Sequence, residues 1–210
     1  MSKVFFFTLL LTLCVAKLGF DASSGPFSVT TMQCMKNTGY SFAIFRGYQQ
    51  IGRVDPNVVN NIKAALAGGI SDVGAYVYPC VKCGNPSNQI IQMANALKEL
   101  NYNTIWIDVE RQGWDLNDKA GNRKFLTEMF NEAPRHGKAV GVYTSSAEWS
   151  QIVGNDWTVG AKFPLWWPRW DNKDTLDNFV PFAGWNSCMM KQYFANTNVC
   201  GIMIDGNFKK

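Results

Sequence analysis

Histidine is almost missing from this chain: His136 stands alone in 210 residues. A structural zinc site draws four ligands from Cys and His. The only closely spaced cysteines, Cys80 and Cys83, have no second C-x-x-C and no histidine pair to complete such a set. The sequence therefore predicts no metal and no cofactor. Charge is sparse as well. Charged residues make up 17% of the chain, and a formal net charge of +4 is spread along it. Nucleic-acid binding wants a concentrated basic stripe, and none is present. Past the N-terminal segment no apolar run reaches the ~18 residues of a membrane span. There is also no internal repeat, low-complexity tract or linker.

What is abundant is apolar and aromatic. Hydrophobic residues account for 47% and aromatics for 14%, with eight Trp, a composition with ample material for one core. Lys3 precedes an almost unbroken apolar run from Val4 to Val15, and Cys14-Val15-Ala16 offers small residues at cleavage spacing. This pattern predicts a secretory signal peptide over residues 1–16. Residues 17–210 then form one domain, expected to be monomeric, secreted or lumenal, with no membrane contact once the signal is removed. An exported chain uses cysteines as disulfides. Cys80 and Cys83 are expected to close a short loop, and Cys188 and Cys200 to staple the last two strands. Cys34 is left as the odd thiol.

Short apolar runs at 18–23, 41–46, 72–78, 104–109, 139–143, 165–167, 189–193 and 201–204 read as strands. Amphipathic stretches at 30–37, 88–100, 119–134 and 147–153 read as helices, with another opened by Asp55 as N-cap and Pro56 at its first position. Strands alternating with helices give parallel β/α units. The span from Tyr193 to Gly201 is too short for a crossover helix. The fold class is therefore α/β: a modified TIM-like barrel whose last strands are partly antiparallel.

Within that barrel the acids fall at telling places. Ile105-Trp106-Ile107-Asp108-Val109-Glu110 is a buried strand running into two carboxylates, and residues i and i+2 of a strand share a face. Asp21 and Asp205 also close predicted strands, and the first and last strands meet when a barrel shuts. The C-terminal rim of a barrel is where its active site sits, so four carboxylates are expected at one mouth. Clustered carboxylates are the equipment of glycoside hydrolysis, in which one acid protonates the leaving oxygen and another stabilises the cationic centre. Glu110 has the longer reach and is the expected proton donor. Tyr76, Tyr78, Tyr143 and Trp166, with Trp167 and Trp170 nearby and Arg46 closing the second strand, supply planes and a charge suited to sugars. Alternation lets only one of Trp166 and Trp167 face inward; the other belongs under a helix.

These motifs, in order, resemble glycoside hydrolase family 25, the Chalaropsis-type lysozymes, and most of all its secreted protist and nematode members. Gly19-Phe20-Asp21-Ala22-Ser23 resembles the family's opening motif, and Asp108-Val109-Glu110 its Asp-x-Glu strand. Lys191-Gln192-Tyr193 and Ile204-Asp205-Gly206-Asn207-Phe208 resemble its closing region. The resemblance implies a (β/α)5β3 barrel that cleaves the β-1,4 bond between N-acetylmuramic acid and N-acetylglucosamine in bacterial peptidoglycan with retention. Glu110 would be the acid/base and Asp108 would manage the substrate's acetamido group. Asp21 and Asp205 would set the electrostatics, and Gln192 would join the sugar-binding set. This chain departs from the pattern at Gly25-Pro26, at Arg46-Gly47-Tyr48 and at Lys191, which stands where the family has Trp. An inactive glycan-binding barrel and a chitin-directed glycosidase are the competing expectations.

Overall fold

The computed structural model describes residues 16–210; residues 1–15, nearly all of the expected signal segment, lie outside the described residues. Among the described residues there are nine strands: β1 Lys17–Ala22, β2 Tyr40–Gln49, β3 Arg53–Val54, β4 Asp72–Val77, β5 Thr104–Asp108, β6 Ala139–Tyr143, β7 Leu165–Pro168, β8 Met190–Val199 and β9 Ile202–Lys209. β3 is a two-residue hairpin partner of β2. The other eight close into a barrel, because β1 pairs with β2 on one side and β9 on the other. Every barrel pairing is parallel except those of β9, which runs antiparallel to both neighbours.

Helices α1 Val29–Asn37, α2 Val58–Ala67, α3 Pro86–Leu97, α4 Lys119–Glu132 and α5 Ser146–Ile152 follow the first five barrel strands in turn. Three strands then complete the barrel without α-helices between them. This is the expected (β/α)5β3 arrangement. A parallel pair needs a crossover connection of a dozen or more residues, which the irregular 169–189 segment supplies between β7 and β8, whereas the antiparallel β8–β9 pair needs only a hairpin.

The core has two layers. The larger lies between the helices and the outside of the barrel. The smaller fills the barrel interior with Phe42, Ile44, Tyr76, Trp106, Tyr143, Trp166 and Met190. Gly141 on β6 exists for this inner layer: a Cβ there would collide with the Trp106 ring. Alternation along β7 turns Trp166 inward and Trp167 outward, as expected. The cover over Trp167 is different from the one expected. The irregular 169–189 connection shields it, with Phe179 edge-on at 5.2 Å between ring centroids. Lys191 ties that connection down. Its ammonium is fully buried and donates to Asp171 at 2.7 Å, to the Lys173 carbonyl at 2.9 Å and to Asn178 at 3.3 Å.

Two expectations are corrected. α2 begins at Val58 with Asn57 at its N-cap, not at Asp55. The Asp55 carboxylate is engaged elsewhere, accepting from Arg46 Nε at 2.8 Å, Gln49 Nε2 at 2.9 Å and the Asn57 N–H at 2.9 Å. The disulfides are Cys80–Cys83, as expected, and Cys34–Cys200, with Cα atoms 6.0 Å apart in the second. Cys188, expected to pair with Cys200, is a buried free thiol, and burial pushes its pKa up to about 11. Strand length explains the change. The whole of β8 lies between Cys188 and Cys200, and at ~3.3 Å per residue their backbones are separated by far more than the ~7 Å a disulfide can bridge. The hairpin tip instead meets α1, which carries Cys34.

At the pole away from the C-terminal ends of the parallel strands, Lys17 at the start of β1 is register partner to Lys209 at the end of β9. Lys209 Nζ also pairs with Asp72 at 2.8 Å, where β4 begins.

Candidate active site

A cleft of about 260 Å³ opens at the other pole, at the C-terminal ends of the parallel strands. All four expected carboxylates line it, together with Tyr76, Tyr78, Tyr143, Trp166, Arg46 and Gln192. Asp108 is the last residue of β5. The Val109 N–H donates to the Tyr143 carbonyl at 2.9 Å, continuing the pairing with β6 beyond the strand. That extension keeps the alternation going, so Asp108 and Glu110 both reach the cleft although Glu110 lies past the strand end. Asp205 arrives by a different route from the one expected. It sits in the interior of β9, opposite Asp21 in the register. An antiparallel strand enters at the mouth, so its N-terminal half, not its end, contributes to the rim.

Gln192 and Asn207 hold this arrangement together. The Trp170 indole N–H donates to Gln192 Oε1 at 2.8 Å, and the Tyr143 hydroxyl donates to the same atom at 2.8 Å. Because an indole N–H can only donate, this contact fixes which end of the Gln192 amide is oxygen. Its Nε2 must then point at acids, reaching Asp21 Oδ1 at 2.8 Å and Asp205 Oδ2 at 3.4 Å. The same logic recurs one strand away. Trp166 Nε1 donates to Asn207 Oδ1 at 2.7 Å, which turns Asn207 Nδ2 toward Asp21 Oδ1 at 2.7 Å. Asp205 is held from the other side by the Asn196 backbone N–H at 2.7 Å.

Burial and mutual repulsion dominate the electrostatics. Asp21 is pushed well above the usual carboxylate range by burial and then by Asp205; its two amide donors oppose this. Asp108 is likewise pushed well up, by burial first and then by Glu110, Asp21 and Glu148. Burial, Glu148 and Asp205 raise Glu110, and burial raises Asp205. Such a cluster keeps some of its members protonated above the pH at which free carboxylic acids ionise.

Asp108 Oδ1 is buried with no hydrogen-bond partner. Ionising this group in the folded protein is unfavourable, so its contribution to stability is full in acid and is lost as pH rises through the folded pKa. Asp108→Asn imitates the protonated form. It should melt higher than wild type at pH 7, and the gap should close as pH approaches that of an ordinary carboxylic acid. Thermal melts across pH check this; a constant gap would mean that Asp108 titrates as a free acid does.

Three side chains at the site act in ways their sequence positions do not signal. Asn207 appears in the Asp205-Gly206-Asn207 motif but carries more of the geometry than that motif alone suggests. Trp170 is 62% exposed at the rim, yet its indole orients Gln192. Arg46 lines the cleft, but its guanidinium is committed to Asp55 and to the Ser23 carbonyl, each at 2.8 Å.

The chain is similar to known proteins over nearly its whole length. The family model described as "Lysozyme-like protein 1" matches residues 14–193. The chain is 40% identical over 192 residues to "Probable GH family 25 lysozyme 4" of Dictyostelium discoideum, covering 90% of this chain and 89% of that one. It is 38% identical over 214 residues to "Lysozyme-like protein 5" of Caenorhabditis elegans, covering 98% and 99%. Among solved structures, a family GH25 lysozyme from Aspergillus fumigatus superposes with a TM-score of 0.74 at 17% identity, covering 93% of this chain and 94% of that one. At that identity the likeness shows the fold.

Proposed function

The chain belongs to the lysozymes of glycoside hydrolase family 25, and from that premise we propose that it hydrolyses the N-acetylmuramic acid–N-acetylglucosamine β-1,4 bond of bacterial peptidoglycan with Glu110 as acid/base. One observation carries the proposal. Asp108 presents a buried, unpaired oxygen on the wall of a cleft that also holds Glu110. A buried polar atom without a partner costs about 1–3 kcal/mol. An acetamido N–H brought against Asp108 Oδ1 would satisfy it, and both sugars of peptidoglycan carry that group.

The chemistry follows from the roles. Glu110, kept protonated by burial and its acidic neighbours, gives its proton to the glycosidic oxygen as the bond to the anomeric carbon breaks. Asp108 accepts the acetamido N–H and so favours attack of the acetamido oxygen on that carbon. Water then opens the intermediate and leaves its proton on the Glu110 carboxylate, giving net retention. Asp21 and Asp205, held by Gln192, Asn207 and the Asn196 N–H, supply negative potential beneath the cationic centre. Trp170 and Tyr78 at the rim offer ring faces to sugar C–H groups.

Export from the cytosol fits the two disulfides. Among the described residues no helix is long and apolar enough to cross a membrane.

Product analysis on purified bacterial walls tests the substrate. Reducing ends at muramic acid are expected. Release of chitooligosaccharides from chitin with walls left intact would move the activity to the chitin class, and wall binding without bond cleavage would leave only a glycan-binding barrel.

A further inference from the structure

Glu110 follows a strand end, where a backbone is usually free to move. Here both peptide units flanking its Cα are held, and by one segment. On the N-terminal side the Val109 carbonyl accepts from the Thr144 hydroxyl at 2.9 Å. On the C-terminal side the Arg111 N–H donates to Glu148 Oε2 at 2.6 Å. Arg111 Nε closes on the same carboxylate, at 2.9 Å to Oε1 and 3.0 Å to Oε2. The clamp is itself anchored. Thr144 is fully buried directly after β6. Ser145 is the N-cap of α5, its hydroxyl accepting from the Glu148 N–H at 3.2 Å, and Trp149 buries the next position of that helix. The Ser-x-x-Glu spacing is that of a capping box, but Glu148 does not turn back onto its own helix. It reaches across to the segment carrying Glu110.

We propose that Glu148, with Thr144, is a positioning residue for the acid/base: the pair brackets Glu110 and fixes where its carboxyl stands over the scissile bond. This rests on the lysozyme reading above. Glu148 has a second, electrostatic consequence. Glu110 is faced by Asp108 from β5, Asp21 from β1, Asp205 from β9, Tyr143 from β6, Tyr76 and Tyr78 from β4 and its following segment, Arg46 from β2, and the Arg111–Glu148 pair from α5's side. In that ring Glu148 is the charge that raises Glu110 most after burial itself. Removing the charge lowers the Glu110 pKa. Because the proton donor must be protonated, the alkaline limb of the pH–rate profile then moves to lower pH.

Three variants separate the two effects. Glu148→Gln keeps an acceptor for the Arg111 N–H and loses the charge, so kcat at pH values below the alkaline limb should stay within about threefold of wild type while that limb shifts down. Glu148→Ala loses both and should lower kcat by roughly ten- to a hundredfold, since small misplacements of a reacting group cost that much, with KM little changed. Thr144→Val removes only the hydroxyl and should lower kcat by several-fold with no shift of the limb. Wild type and Glu110→Gln run beside them on soluble wall fragments, with melting curves for each. Superimposable kcat and pH profiles for wild type and all three variants would overturn the clamp while an active wild type and a silent Glu110→Gln left the lysozyme reading standing. An inactive wild type would overturn both. A uniform loss that tracks melting temperature, with no limb shift in Glu148→Gln, would reduce Glu148 to a structural ion pair and also overturn the proposal.

Discussion

Glu110→Gln should silence wall clearing, lowering kcat by roughly 10²–10⁴-fold, the range that general acid catalysis supplies, while the barrel stays folded. The amide occupies the same volume and can accept or donate hydrogen bonds, but its N–H protons are too weakly acidic to be transferred to the leaving oxygen. Stability should not fall. Glu110 is raised by burial and by Glu148 and Asp205, so removing its charge relieves repulsion in the folded state. The expected result is an inactive protein that melts at or above the wild-type temperature at neutral pH. Turbidity of a wall suspension and a thermal melt measure the two halves. Clearing at more than about a tenth of the wild-type rate would put the proton donor elsewhere; within the cleft Asp108 and Asp21, both pushed well up, would be the next to test.

The second large effect is on stability. Replacing Cys34 and Cys200 together by Ser should cost about 3–5 kcal/mol, because their bond spans 166 residues and such long loops are the most constrained when cross-linked. For a domain of this size that corresponds to a drop in melting temperature of roughly 10 °C. The Cys80–Cys83 bond, three residues apart, constrains almost nothing in the unfolded chain, and Cys80→Ser with Cys83→Ser should move the melt far less. Melting both double variants under non-reducing conditions settles the ranking; equal losses would show that the long-range bond is compensated by hairpin packing. Activity should fall in the Cys34/Cys200 variant as well. The β8–β9 hairpin that it releases carries Asn196, whose N–H holds Asp205.

Much of the fold is legible in the sequence. The buried run into Asp108 and Glu110 announced the rim, because apolar residues on both faces of a strand require cover on both faces. The short span between Tyr193 and Gly201 forced an antiparallel end to the barrel. The resemblance to family 25 supplied Gln192. Illegible were features that depend on pairing across long distances in sequence. Asp205 reads as a strand end if β9 is thought parallel; only the register opposite Asp21 shows it as mid-strand. Cys188 and Cys200 read as partners until the ten-residue length of β8 separates them. Asp55 looked like a helix cap because Pro follows it, and the competing claim of Arg46 on its carboxylate has no local signal. The orientation of Gln192 and Asn207 by two indoles is of the same kind, since each bond joins residues from different parts of the chain.

The pairing of Lys17 with Lys209 has a practical bearing. Both ends of the barrel's strand circuit meet at the pole farthest from Glu110. A bead, an affinity handle or a wall-targeting module attached after Lys210 would therefore act as a pedestal, leaving the cleft facing outward toward an insoluble polymer. Joining Lys17 to Lys209 by a short peptide, and reopening the chain at a loop on that same pole, would give a permuted chain whose mouth is untouched.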